Sequence, residues 1–98
     1  TNVRGKQMQE LVNTGSYSVV DAREPADYAA SHLKGAISGN ADTLAELLPQ
    51  LPKEKPVLTY CYSGNRSFAV AEKLVAAGYT VINSLDGTNE YSAFELVK

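Results

Sequence analysis

Four short apolar runs alternate with stretches of helical periodicity, and this alternation restricts the fold more than any other feature of the chain. Tyr17-Ser18-Val19-Val20-Asp21-Ala22, Gly35-Ala36-Ile37-Ser38, Val57-Leu58-Thr59-Tyr60 and Thr80-Val81-Ile82-Asn83 read as strands. Each is too short for a buried helix, and valine and isoleucine recur in them. Between them, Met8, Leu11 and Val12 repeat at helical spacing, and Gly15 closes that turn. Glu24-Pro25 opens a helix to about Ser31, since proline suits the first helical position; Tyr28 and Ala29 are its expected inward residues. A third helix carries Leu44, Leu47, Leu48 and Leu51 on one face, with Asp42 or the Thr43–Glu46 pair as its cap and Pro49 and Pro52 at its end. A fourth begins near Arg66, faces inward through Val70, Ala71, Leu74 and Val75, and stops at Gly78. Asp86-Gly87-Thr88-Asn89 is a turn, and Tyr91, Phe94, Glu95 and Leu96 are placed on a final helix.

Strands without polar alternation suit a sheet covered on both faces. The pattern predicts an α/β domain with a mostly parallel central sheet of four to five strands, right-handed crossovers and helices on both faces. At 98 residues the expectation is one domain, 1–98. Function classes drop out on charge and hydropathy. A net charge of −2 provides no broad basic surface for nucleic acid. No apolar run approaches the roughly 18 residues of a membrane helix. With no secretory signal in view the expected compartment is cytoplasmic; because Thr1 is not an initiator methionine, removal of an upstream segment would allow a periplasmic or organellar one.

Cys61 is the only cysteine, so the chain can form no internal disulfide or multi-cysteine zinc site, and His32 alone cannot assemble a metal centre. It stands between the strand ending at Tyr60 and the helix starting near Arg66. In parallel sheets, sites form beyond the carboxyl ends of strands. A thiol there faces backbone amides and the positive end of a helix dipole, which favour the nucleophilic thiolate. In Cys61-Tyr62-Ser63-Gly64-Asn65-Arg66-Ser67, Gly64 permits a tight loop whose N–H groups turn inward as an anion nest. Ser63, Asn65 and Ser67 add donors, Tyr62 shapes a wall, and Arg66 offers a fixed charge with bidentate geometry. A cation at a helix start is unfavourable, so an anionic group near Arg66 is expected. The spacing Cys61-x4-Arg66 is one residue shorter than the Cys-x5-Arg loop of cysteine phosphatases, and a smaller ring suits an added sulfur better than a phosphoryl group.

With these motifs the chain resembles the single-domain rhodanese, or sulfurtransferase, family. Asp21-Ala22-Arg23-Glu24-Pro25, with Tyr28 following, is similar to the family's Asp-x-Arg segment. His32-Leu33-Lys34-Gly35-Ala36-Ile37 is similar to its His-Ile-x-Gly-Ala segment, and 61–67 to its Cys-x-x-Gly-x-Arg-Ser loop. Gly78-Tyr79-x-Val81 fits the approach to the last strand. The family's paired glycines and tryptophan near the end are here Gly87-Thr88 and Tyr91, and the glycine before the histidine is Ser31. The resemblance implies a rhodanese-like three-layer fold and a Cys61 persulfide. Sulfane sulfur would come from an anionic donor such as thiosulfate or from another persulfide, and pass to a thiol or cyanide without a metal or organic cofactor. Tyr62, Ser63, Gly64, Asn65, Arg66 and Ser67 would bind donor and adduct. Asp21 and Arg23 are expected to be architectural, His32 to be hydrogen-bonded within the fold, and Lys34 to be a solvated surface charge. The alternatives are a persulfide relay to a protein acceptor, a binding module for a partner protein, and, against the loop spacing, a phosphatase or arsenate reductase.

Overall fold

The computed structural model describes Thr1–Lys98. Its centre is set by β2 (Ser18–Asp21) and β5 (Val57–Tyr60), which pair in parallel with Val19 opposite Leu58 and Asp21 opposite Tyr60. β4 (Ala36–Ser38) adds to β2, β6 (Val81–Ser84) to β5, and β1 (Asn2–Val3) to β6. The sheet therefore runs β1-β6-β5-β2-β4, with every pairing parallel. Each β-to-β crossover needs a covering element. These are α1 (Gly5–Thr14), α2 (Pro25–Ala30), α3 (Leu44–Leu47) with a 3₁₀ turn at Leu48–Gln50, and α4 (Asn65–Ala76).

Alternation along the strands divides the core in two. Val19, Leu58 and Tyr60 point to one face, where Met8 and Val12 of α1 join Leu33 and Phe94. Val20, Val57 and Cys61 point to the other, against Leu44, Leu47 and Leu51 and against Val70, Ala71 and Leu74 of α4. Helices on both faces of a five-stranded parallel sheet match the predicted α/β architecture.

The differences are local and have physical causes. No final helix forms. Tyr91 and Phe94 pack edge-to-face, with centroids 4.8 Å apart, and the chain then extends as β7 (Leu96–Val97), antiparallel to β3 (His32–Leu33). Spacing of i, i+3 brings aromatics together in an irregular turn as well as in a helix. Neither Asp42 nor a Thr43–Glu46 box caps α3. Asn40 turns the chain there, its Oδ1 accepting from the N–H groups of Asp42 and Thr43 at 2.9 and 3.1 Å. Ala29 and Val75, expected inside, are exposed; each lies on the edge of its helix's apolar stripe. Gly15 and Gly78 close α1 and α4 as predicted.

Candidate active site

Cys61 is the first residue beyond the carboxyl end of the central strand β5. Only 1% of its surface is exposed. Its Sγ accepts hydrogen bonds from the N–H of Gly64 at 3.2 Å and of Ser67 at 3.3 Å. Gly64 makes this possible twice over. Its φ is +92°, in the left-handed region, and a Cβ built on it would lie 2.7 Å from the Leu85 carbonyl oxygen. Glycine alone meets both conditions. Gly64→Ala is expected to cost about 1–3 kcal/mol for the backbone conformation alone. Relief of the contact with Leu85 would pull the Gly64 amide from the sulfur, so alkylation of Cys61 below pH 8 should slow as well. A thermal melt and a pH series of iodoacetamide labelling measure the two effects.

Burial acts to raise the Cys61 pKa, but it is overcome. The side chain and N–H of Ser67, with the amides of Ser63 and Gly64, hold the thiol below its ordinary value. The Ser67 hydroxyl, itself buried, also lies 3.3 Å from the Gly64 carbonyl. Ser63 and Asn65 are exposed on the outer side of the loop.

The turn after β6 braces the loop from behind. Thr88 N–H donates to the Cys61 carbonyl at 2.9 Å, and Asn89 N–H to that of Tyr62 at 3.0 Å. A Cβ on Gly87 would overlap the Tyr62 and Cys61 carbonyl groups, so this glycine is required for close approach. Thr88, which stands where the family has its second glycine, contributes through its backbone. Tyr91, in place of the tryptophan, donates its N–H to the Gly87 carbonyl at 3.0 Å and lays its ring on Gly5.

The rim carries the charged groups. Arg66 Nη1 donates to Glu24 Oε1 at 2.7 Å, and its guanidinium lies 5.5 Å from the centroid of the Tyr62 ring. The Tyr62 hydroxyl donates to the Asp27 carboxylate and accepts from the Glu24 N–H at 3.2 Å. Glu24 is thus the anionic group expected beside Arg66. It lies 42 positions away in sequence, so no local pattern announces it. A cavity of about 230 Å³ opens at this rim between Ala22, Glu24, Asn40, Asp42 and Arg66.

Beneath the loop, Asp21 is fully buried. It accepts from Arg23 Nε and Nη2 at 3.1 and 2.9 Å, from the Arg23 N–H at 2.9 Å and from the Tyr60 hydroxyl at 2.6 Å. Arg23 Nη2 also donates to the Ser31 carbonyl. Burial first, then the Asp21 carboxylate, raises the Tyr60 pKa far above the ordinary phenol range. Arg23 is therefore spent inside the fold, as expected. His32 Nδ1 donates to the Tyr28 carbonyl at 2.9 Å, and its ring stacks on Tyr28 at 4.1 Å; Lys34 is exposed. No group of three or more His, Cys, Asp or Glu side chains gathers where a metal ion could be held, and no helix is long and apolar enough to cross a membrane.

A family model for the rhodanese-like domain matches residues 5–93. The chain belongs to the rhodanese-like domain family. Over 87 residues it is 38% identical to the thiosulfate sulfurtransferase GlpE of Tolumonas auensis, covering 89% of this chain and 82% of the relative. A rhodanese-related protein from Thermoplasma volcanium has the same fold, with a TM-score of 0.82 at 24% identity, and 98% and 96% of the two chains align. Reduced CoADR-RHD of Bacillus anthracis gives a TM-score of 0.81 at 28% identity; the match covers 93% of this chain but only 16% of that longer one.

Proposed function

We propose that this rhodanese-like domain is a sulfurtransferase that carries sulfane sulfur as a persulfide on Cys61. The observation that carries the proposal is the buried Sγ receiving two backbone N–H groups at a strand-to-helix turn. Family membership and the sulfurtransferase relative support the same class of chemistry. The thiolate attacks the outer sulfur of the donor. With thiosulfate, a new S–S bond forms to Cys61, the donor's own S–S bond breaks, and sulfite leaves with that electron pair. With a persulfide donor the leaving group is a thiolate. A thiolate or cyanide acceptor then attacks the outer sulfur, and the Cys61 thiolate leaves unchanged. Tyr62 to Ser67 cradle the adduct, and Arg66 contributes charge at the rim. The amides and Ser67 already favour the thiolate, so no general base is required.

The test is intact-mass analysis after treatment with thiosulfate and, separately, with a small-molecule persulfide. The expected result is a gain of about 32 Da, one sulfur, localised to Cys61 and reversed by cyanide or dithiothreitol. Unmodified Cys61 after both treatments would overturn the proposal.

A further inference from the structure

The loop's one cation already has an anionic partner. Arg66 is paired with Glu24 at 2.7 Å, and its side chain and that of Glu24 are half exposed, 50% and 55%. The other charges at the rim do not compensate. Asp27 holds the Tyr62 hydroxyl beneath Arg66, Asp42 lines the cavity, and Lys73 reaches it only through the Ala41 carbonyl at 3.5 Å. Two carboxylates, Glu24 and Asp42, thus face one cation, Arg66, in the cavity at the rim of the Cys61 loop. Arg23 changes nothing here, because Asp21 neutralises it inside the fold. A small dianion entering this cavity competes with Glu24 for Arg66 and bears the repulsion of Glu24 and Asp42. A donor with a cationic or neutral group bears neither penalty, and an ammonium gains a carboxylate partner.

Resting on the persulfide chemistry proposed above, we infer that Glu24 is a specificity-determining residue. Its pairing with Arg66 selects against small dianionic sulfur donors and for persulfides whose non-sulfur portion is neutral or cationic. The reaction stays balanced as before: Cys61 takes the outer sulfur, and the donor's thiolate leaves carrying its ammonium or neutral substituent.

The experiment compares the initial rate of Cys61 persulfide formation from thiosulfate and from cysteamine persulfide, in the intact protein and in Glu24→Gln. Release of Arg66 should lower the half-saturating thiosulfate concentration roughly two- to fivefold, the range of an exposed ion pair, while cysteamine persulfide loads no better or less well. In the unaltered protein, raising ionic strength to about 150 mM should speed loading from thiosulfate and slow it from cysteamine persulfide, as screening requires; Glu24→Gln should flatten both trends. Asp42→Asn, on an exposed residue of the same cavity, should move thiosulfate in the same direction. If Glu24 only positions Arg66 for the donor, Glu24→Gln will slow thiosulfate loading, and that result overturns the inference. Equal shifts for both donors, or none, also overturn it while leaving the sulfurtransferase proposal standing. Absence of persulfide from either donor in every variant removes both.

Discussion

Cys61→Ser is expected to abolish the persulfide adduct with every donor, leaving no mass gain and no cyanide-dependent turnover above the uncatalysed rate. The effect is all-or-none because the reaction is made at one atom. A serine hydroxyl in the same nest remains protonated at neutral pH and cannot hold a second sulfur, whatever the loop's geometry. The fold should tolerate the change. The replacement is near-isosteric, and its oxygen can accept from Gly64 and Ser67, the amides that now face sulfur. A pH profile separates the loop's contribution from the cysteine's. Hydrogen bonds from Ser67, Ser63 and Gly64 hold the Cys61 pKa below its ordinary value despite burial. Labelling and loading should therefore persist below the ordinary thiol titration near pH ~8.5 and fall as pH drops through the lowered pKa. Stability follows the same sign: the thiolate's contribution is present above the unfolded pKa and lost as pH falls through the folded one. Ser67→Ala should move the labelling midpoint upward without removing the nucleophile. Serine-substituted protein that still gains sulfur would place the chemistry elsewhere in the chain.

What the sequence disclosed, and what it hid, follows from the range of the interactions involved. β2, β5 and β6 were legible because each is a short Val- or Ile-containing run bounded by turn residues, and both of its faces are buried. The Cys61 loop was legible because its parts lie within seven consecutive residues. β1, β3 and β7 have two residues each, too few for any periodicity, and they exist through pairing with distant partners. Tyr91 and Phe94 have helical spacing, but their ring contact and the pairing of Leu96 with Leu33 take the segment out of a helix. The rim shows the same division. Arg66 at a helix start implied an anion, but Glu24 is identified only when the crossover from β2 through α2 brings its carboxylate to the loop. The Asn40 turn before α3 is not legible because Asp42, Thr43 and Glu46 match the local capping pattern; the backbone N–H directions of Asp42 and Thr43 reveal it, and α3 carries no side-chain cap.

Asp21→Ala is expected to destabilise the fold by about 3–5 kcal/mol, the usual consequence of leaving one member of a buried ion pair without its partner. The carboxylate has no exposed surface and anchors four donor groups, two on the Arg23 side chain, one on its backbone and one on Tyr60. With it gone, the Arg23 guanidinium, itself 5% exposed, keeps mainly the Ser31 carbonyl, and the Tyr60 hydroxyl loses its acceptor. Against a total stability of roughly 5–15 kcal/mol for a domain of this kind, such a loss leaves a protein that melts near working temperature. Tyr60→Phe should cost less, about 1–3 kcal/mol, because it removes one hydroxyl and leaves the Leu33 N–H without the acceptor it now has at 3.0 Å. Urea unfolding checks both: midpoints should fall in that order with the slope unchanged. The position of the network gives it a bearing on chemistry. Asp21 and Tyr60 are register partners one residue before Ala22 and Cys61, and the Ala22 N–H bonds the Tyr60 carbonyl at 2.9 Å. The pair therefore fixes where β5 releases the chain into the loop. In Tyr60→Phe protein that remains folded, loosening there should raise the pH midpoint of Cys61 labelling. If Asp21→Ala unfolds within about 1 kcal/mol of the unaltered protein, the buried cluster is not what holds the end of β5 in place.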